Sequence, residues 1–118
     1  MIITLPWPDK RLSPNARLHW RAKHAAKAPA KAGAWMLAKA TPGFRDACKS
    51  LQGDDSPIPM AIRFYPPDRR HRDDDNMIGA FKSARDGIAD ALGVNDRRFR
   101  PVYYFETPEK PGRVEVEL

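Results

Sequence analysis

The sequence predicts an α/β (α+β) fold: a small mixed β-sheet covered by helices, in the order β-α-β-α-β-β, forming one domain over residues 1–118. Three observations lead there. Ile58 to Tyr65 sets Met60, Ile62 and Phe64 against Ala61, Arg63 and Tyr65, the alternation of a half-buried strand. Met77, Phe81, Ala84, Ile88 and Leu92 fall on one helical face, and Gly93 is placed to end that helix. Arg98 to Thr107 and Arg113 to Leu118 alternate again, with a connector at Pro108 to Gly112 short enough for a hairpin.

The remaining elements follow in order. Ile2 to Leu5 is a short strand stopped by Pro6 and Pro8, with Trp7 between them as a core anchor rather than a base-stacking platform. Leu12 to Asn15 is a turn that leads towards a helix. From about Arg17 to Lys39 the alanines and lysines favour helix, which Pro29 must end or kink because it lacks the amide donor. A short helix is expected around Phe44 to Leu51. The helix with the apolar face then starts near Asn76, capped by Asp75 or Asn76.

The net charge of +6 is unevenly distributed. Residues 1–40 carry eight basic groups and one acid, whereas residues 41–118 carry thirteen basic and fourteen acidic groups. Arg11, Arg17, Arg21, Lys23, Lys27 and Lys31, interleaved with His19 and Trp20, have the composition that neutralises nucleic-acid phosphates; a solvated helix face is the plainer alternative. The longest apolar run, Ala32 to Ala38, is far short of the ~20 residues of a membrane span, so no membrane association and no signal peptide are expected. The single cysteine, Cys48, forms no internal disulfide, and three histidines give no zinc-type spacing, which fits a cytoplasmic location. There is no Gly-rich loop ending in Lys-Ser or Lys-Thr and no Gly-x-Ser-x-Gly element, so an NTPase or serine hydrolase has no support.

The chemistry is concentrated in Asp68-Arg69-Arg70-His71-Arg72-Asp73-Asp74-Asp75-Asn76. One reading is a helix entry whose acids gain from the helix dipole. The other takes the segment as extended, so that Asp73 and Asp75 project to one side and share a hard cation such as Mg²⁺ while Asp74 faces away. Arg69, Arg70 and Arg72 then hold the phosphodiester.

Ile3-Thr4-Leu5-Pro6-Trp7-Pro8, the Ser13-Pro14-Asn15 turn, Arg72-Asp73-Asp74-Asp75-Asn76 with a lysine on the following helix, and Asp90-Ala91-Leu92-Gly93-Val94-Asn95-Asp96 together resemble the RusA-type Holliday junction resolvases, which are often prophage-encoded. The resemblance runs over nearly the whole chain and is weakest between Ala25 and Pro57. It implies a dimeric endodeoxyribonuclease that resolves four-way junction DNA in recombination and repair. Mg²⁺, or Mn²⁺ in its place, would be held by Asp73, Asp75 and Asp96, with Lys82 as an essential basic residue.

Two positions depart from the family. Its lysine often stands four residues after the second motif Asp, where this chain has Gly79; Lys82, seven residues on, keeps the same helix face with an offset of about 20°. The missing side chain at Gly79 would clear the path of Lys82. A Lys82–Asp86 surface pair is the plainer role. Asn95 stands where an acid is common, leaving Asp96 as the ligand and Asn95 as a turn residue.

Chain geometry adds a constraint. A helix from about Asn76 to Leu92 is roughly 25 Å long, and Gly93 to Asp96 spans at most about 14 Å, so Asp96 hardly meets Asp75 within one subunit. A shared metal then calls for a homodimer in which Asp96 of each subunit completes the site of the other. Arg97, Arg98 and Arg100 would join the N-terminal cations on the junction arms. The alternatives are a non-catalytic nucleic-acid-binding protein and a nuclease without junction preference.

Overall fold

The structure, a computed structural model, describes residues 1–17 and 19–118; Leu18, within the first expected helix, lies outside the described residues. Among the described residues, four strands, β1 (Ile2–Pro6), β2 (Ile58–Tyr65), β3 (Phe99–Phe105) and β4 (Arg113–Glu117), and four helices, α1 (Trp20–Ala40), α2 (Phe44–Leu51), α3 (Asp74–Ala80) and α4 (Lys82–Leu92), make a compact α+β domain. Short 3-10 turns occupy Lys10–Leu12 and Asp96–Arg98. Among the described residues no helix is long and apolar enough to cross a membrane.

The mixed sheet has the order β1-β4-β2-β3. β4 runs antiparallel to β1 and to β2, while β2 and β3 are parallel. The expected hairpin between the last two strands is therefore absent, because β2 lies between them. β2 takes a partner along each edge, β3 on one side and β4 on the other, so its buried Ile58, Met60, Ile62 and Phe64 sit between neighbouring side chains on both sides. Ile62 is flanked by Val116 and Tyr103, and Phe64 by Val114 and Phe105. The Thr107–Gly112 connector climbs over the end of β2, where Glu106 N–H donates to the Phe64 carbonyl (2.9 Å) and Glu109 N–H to that of Pro66 (2.8 Å). Gly112, at φ +88°, fits against the Pro67 ring. Pro101 sits on β3, an edge strand, where a missing amide donor is tolerated.

α1 begins at Trp20, behind an N-cap His19 whose Nδ1 accepts from Arg21 N–H (3.2 Å). It runs through Pro29 without ending. Pro29 and Ala25, whose carbonyl loses its helical donor, are both exposed rather than buried in the core, where an unpaired carbonyl is costly. α2 occupies the expected segment.

The expected single helix over Asn76–Leu92 is two helices divided at Phe81 (φ −86°, ψ −8°), whose N–H is shared between the Met77 and Ile78 carbonyls at 3.2 Å each. The apolar face survives the break: Met77, Phe81, Ile88 and Leu92 are buried and Ala84 half-buried. Gly93 ends α4 in the left-handed conformation (φ +71°). The cap at the other end is Asp73, rather than Asp75 or Asn76.

α1 and α4 pack closely where Gly87 faces the Lys31 carbonyl and the Ala34 methyl, which would lie 3.2 Å from a Cβ at position 87. Gly87→Ala is expected to lower the unfolding free energy by about 1–3 kcal/mol, the usual cost of forcing volume into a packed contact. Gly33→Ala, where nothing lies within 4 Å of the new carbon, is expected to raise it by about 0.5–1 kcal/mol. Urea unfolding measures both, and a Gly87→Ala midpoint equal to wild type would remove this close approach as a constraint.

Candidate functional site

Between the Trp7–Arg17 segment, the Pro67–Asp73 loop and α3 lies an open cleft of about 690 Å³. Asp73 borders it as the N-cap of α3, with extended backbone (φ −75°, ψ 140°), and Asp74 and Asp75 form the first helical turn. The extended run that would set Asp73 and Asp75 on one side is thus not formed. The chain turns helical at Asp74, an outcome favoured by acids at the positive end of a helix, and the Asp73 carbonyl accepts from Met77 N–H (3.2 Å). All three carboxylates are exposed. Asp73 Oδ1 meets His71 Nε2 at 3.1 Å and its Oδ2 accepts from Asn76 Nδ2 at 3.4 Å, while Asp75 Oδ1 accepts from Asn76 N–H at 3.1 Å.

A second cluster forms around Lys82, whose ammonium contacts Asp86 and also Asp96 Oδ2 at 3.2 Å. Hydrogen bonding to Asp86 first, and to Asp96 after the opposing effect of burial, raises the Lys82 pKa above its ordinary value. In return the Lys82 ammonium lowers the Asp96 pKa, first by its hydrogen bond and then by its charge. After Gly93 the chain turns back, which brings Asp96 beside the first turns of α4 instead of leaving it beyond the helix end. Asn95 serves as the turn residue: its Oδ1 accepts from Arg97 N–H (2.9 Å) and caps the Asp96–Arg98 turn. Gly79 has a different reason from the one expected. A Cβ there would strike the Pro14 ring, so the glycine lets the Ser13–Asn15 turn pack on α3 rather than clearing space for Lys82.

The structure does not bring Asp73, Asp75 and Asp96 together within one chain. Among the described residues no group of three His, Cys, Asp or Glu side chains is placed to hold a metal ion. The donor chemistry of Asp73 and Asp75 nevertheless suits Mg²⁺, which commonly takes one or two carboxylates and completes its shell with water and substrate phosphate.

The basic residues divide by what they touch. Arg72 and Arg98 make structural contacts, with side chains only 16% and 11% exposed. Arg72 pairs with Asp68 (2.9 Å) and lies over the Trp7 ring at 5.5 Å. Arg98 donates to the Ser56 and Leu51 carbonyls (3.0 and 2.9 Å) and fastens the connector before β2. Arg100 donates to the carbonyls of Arg97 and Phe99. Arg11 is held by Asp9, Lys31 by Asp90 (3.1 Å), and Lys23 donates to the Pro14 carbonyl (3.3 Å). Arg21 lies over Trp20. Arg17 and Arg70 rim the cleft, Lys27 lines a smaller depression with Lys23 and Lys82, and Arg69 and Arg97 are exposed.

Three residues at these sites were not singled out by the sequence. Lys10 joins the cleft rim, and its membership of the basic N-terminal stretch was the available signal. His71 contacts Asp73, two residues away in the same motif. Arg85, one helical turn beyond Lys82, donates to the Tyr103 hydroxyl at 3.3 Å while its Nε is buried without a partner among the described residues.

No family model matches the chain. An uncharacterized protein of Xylella fastidiosa (strain Temecula1 / ATCC 700964) is 47% identical to it over 97 residues, which make up 82% of this chain and 61% of that protein. The chain thus spans about three fifths of the length of the curated relative it matches.

The Lys82–Asp96 contact can be read by titration. In Lys82→Ala the Asp96 carboxyl, followed by NMR, is expected to move up towards the ordinary value of 3.8. Because its folded pKa is depressed, Asp96 contributes stability that is present above the unfolded value and lost as the pH falls through the folded one. The variant should therefore lose less stability than wild type on acidification below about pH 4. An unchanged Asp96 titration would mean that the contact does not hold in solution.

Proposed function

We propose that the protein is a RusA-type, Mg²⁺-dependent endodeoxyribonuclease that resolves four-way DNA junctions by paired phosphodiester hydrolysis, acting as a homodimer in recombination and repair. The observation that carries the proposal is the exposure of Asp73 and Asp75 at the helix entry beside a cleft rimmed by Lys10, Arg17 and Arg70. Carboxylates beside cations suit a site that must hold both a cation and a polyanion.

Asp73 and Asp75 would hold the ion, joined by Asp96 of the partner subunit. When bound, the ion supplies a water of lowered pKa and neutralises charge on the phosphoryl oxygens. The chain's own residues do the rest. Lys10, Arg17 and Arg70 bind phosphate oxygens and orient the strand, giving affinity for shape more than sequence. Lys82, kept protonated by Asp86 and Asp96, is a fixed cation for charge that develops on the leaving oxygen. Because it also contacts Asp96 within its own chain, lysine and acid would arrive at the partner's site as one unit.

A synthetic four-way junction with Mg²⁺, against linear duplex and an EDTA control, tests the proposal. Symmetric nicks near the crossover are expected with Mg²⁺ alone. Asp73→Asn, Asp75→Asn and Asp96→Asn should each abolish cleavage and leave binding intact or tighter, since each removes negative charge facing phosphate. Full cleavage by Asp75→Asn would end the catalytic assignment.

The shared-site arrangement has its own test. Inactive Asp75→Asn and Asp96→Asn proteins, mixed under conditions of subunit exchange, should regain nicking of one strand per junction, because one of the two composite sites in a heterodimer is intact. No recovery, with exchange shown independently, would refute sharing between subunits.

A second reading, a nucleic-acid-binding protein without catalysis, is favoured by one observation. The Asp73 and Asp75 contacts stay within the helix entry, at His71 and Asn76. Binding without product, with or without Mg²⁺, would select it.

A further inference from the structure

We infer that the cleft beside Trp7 takes one extruded nucleobase of the bound DNA, with that nucleotide's phosphate on the Lys10–Arg17–Arg70 rim; this rests on the nuclease reading above. The cleft, at about 690 Å³, lies within the roughly 300–1,000 Å³ of small-ligand sites. Its lining includes Trp7, Met77 and Ala80, over the fully buried Phe64. A site for phosphodiester alone needs no apolar floor.

The electrostatics of the lining separate in the same way. Asp9 is held by Arg11 and Asp68 by Arg72, whereas Lys10, Arg17 and Arg70 line the cleft without an ion pair among the described residues. Their charge is available at the mouth, above an apolar interior. A group that is flat and apolar on its faces and anionic at one end matches this distribution, and a nucleotide is such a group. Arg72, fixed by Asp68, covers one face of the Trp7 ring, and the two line the cleft as one stacked guanidinium–indole unit; bases stack on aromatic and guanidinium planes alike. Asp73 lines the same cleft, so the extruded nucleotide would border the acids of the helix entry. Extrusion costs least for a base that is already unpaired or mismatched, which makes the cleft a means of preferring disturbed DNA over regular duplex.

The three tryptophans, Trp7, Trp20 and Trp35, give three indole N–H signals in a ¹⁵N-labelled protein, assigned by Trp20→Phe and Trp35→Phe. Deoxyadenosine 5′-monophosphate should move the Trp7 signal, and deoxyribose 5-phosphate, which lacks the base, should not. Ala16→Phe, which puts a ring into the cleft from its lining, should abolish that response and weaken junction binding about ten-fold, within the range for one lost base–aromatic stack. Equal shifts from both small molecules would reduce the cleft to a phosphate site and overturn the inference. So would a Trp7 signal indifferent to the nucleotide, or wild-type junction binding by a folded Ala16→Phe protein. A protein whose Trp7 signal follows the base but which ignores four-way DNA would keep the cleft and lose the resolvase reading.

Discussion

Phe64 is the point on which the arrangement depends. It is fully buried near the end of the interior strand β2, and its ring meets four others drawn from three separate parts of the chain. Trp7 and Phe81 approach it edge-on at 6.2 and 6.0 Å, while Tyr103 and Phe105 lie stacked at 6.2 and 5.6 Å. Each such pair contributes about 0.5–1.5 kcal/mol beyond simple burial. The larger effect is positional. Phe81 is the residue at which the helix breaks, so its seat against Phe64 helps set the direction of α3 and hence where Asp73 stands. Trp7 fixes the segment that leads to Lys10 and Arg17. The two sides of the cleft therefore share one support, and Phe64 itself lies beneath the cavity.

The contact between α1 and α4 does for the charges what Phe64 does for the rings. Alanine and glycine at the crossing let the helix backbones approach closely, with Gly87 against the Lys31 carbonyl. As a result the basic helix lies alongside the helix that carries Lys82 and Asp86, and Lys31 reaches Asp90. The pair is exposed and adds little stability. Its significance is that Lys23, Lys27 and Lys82 line one depression, with the two acids on Lys82 moderating repulsion among the three ammonium groups.

Much of this was legible from local pattern. The alternation over Ile58–Tyr65 and the apolar spacing from Met77 to Leu92 reported burial directly, since period and burial are the same fact seen in sequence and in space. What could not be read were relations between distant segments. Nothing in Arg98–Leu118 says that another strand must separate its two halves; that depends on the pairing of β2 with both, a relation between distant segments. Arg72 and Arg98 read as free cations because their carbonyl and ring partners carry no sequence signature. Gly79 read as an absence beside Lys82, while its actual neighbour, Pro14, is far away along the chain. At the acidic segment both readings had been open, and the helix entry formed because Asp73 in an extended cap and two acids in the first turn agree with helix electrostatics.

The pairing of β1 with β4 joins the first strand to the last, from Ile2 opposite Glu117 to Pro6 opposite Arg113. Residues this far apart along the chain meet only after a long loop has closed, and such topologies fold slowly for entropic reasons. β1 pairs with β4 alone, so during synthesis it has no sheet partner until β4 has been made. During that interval an apolar strand containing Ile3 and Leu5 is without its neighbour. The β2–β3 ladder needs no later strand, but the sheet is completed only when β4 enters between β1 and β2 and forms a ladder with each.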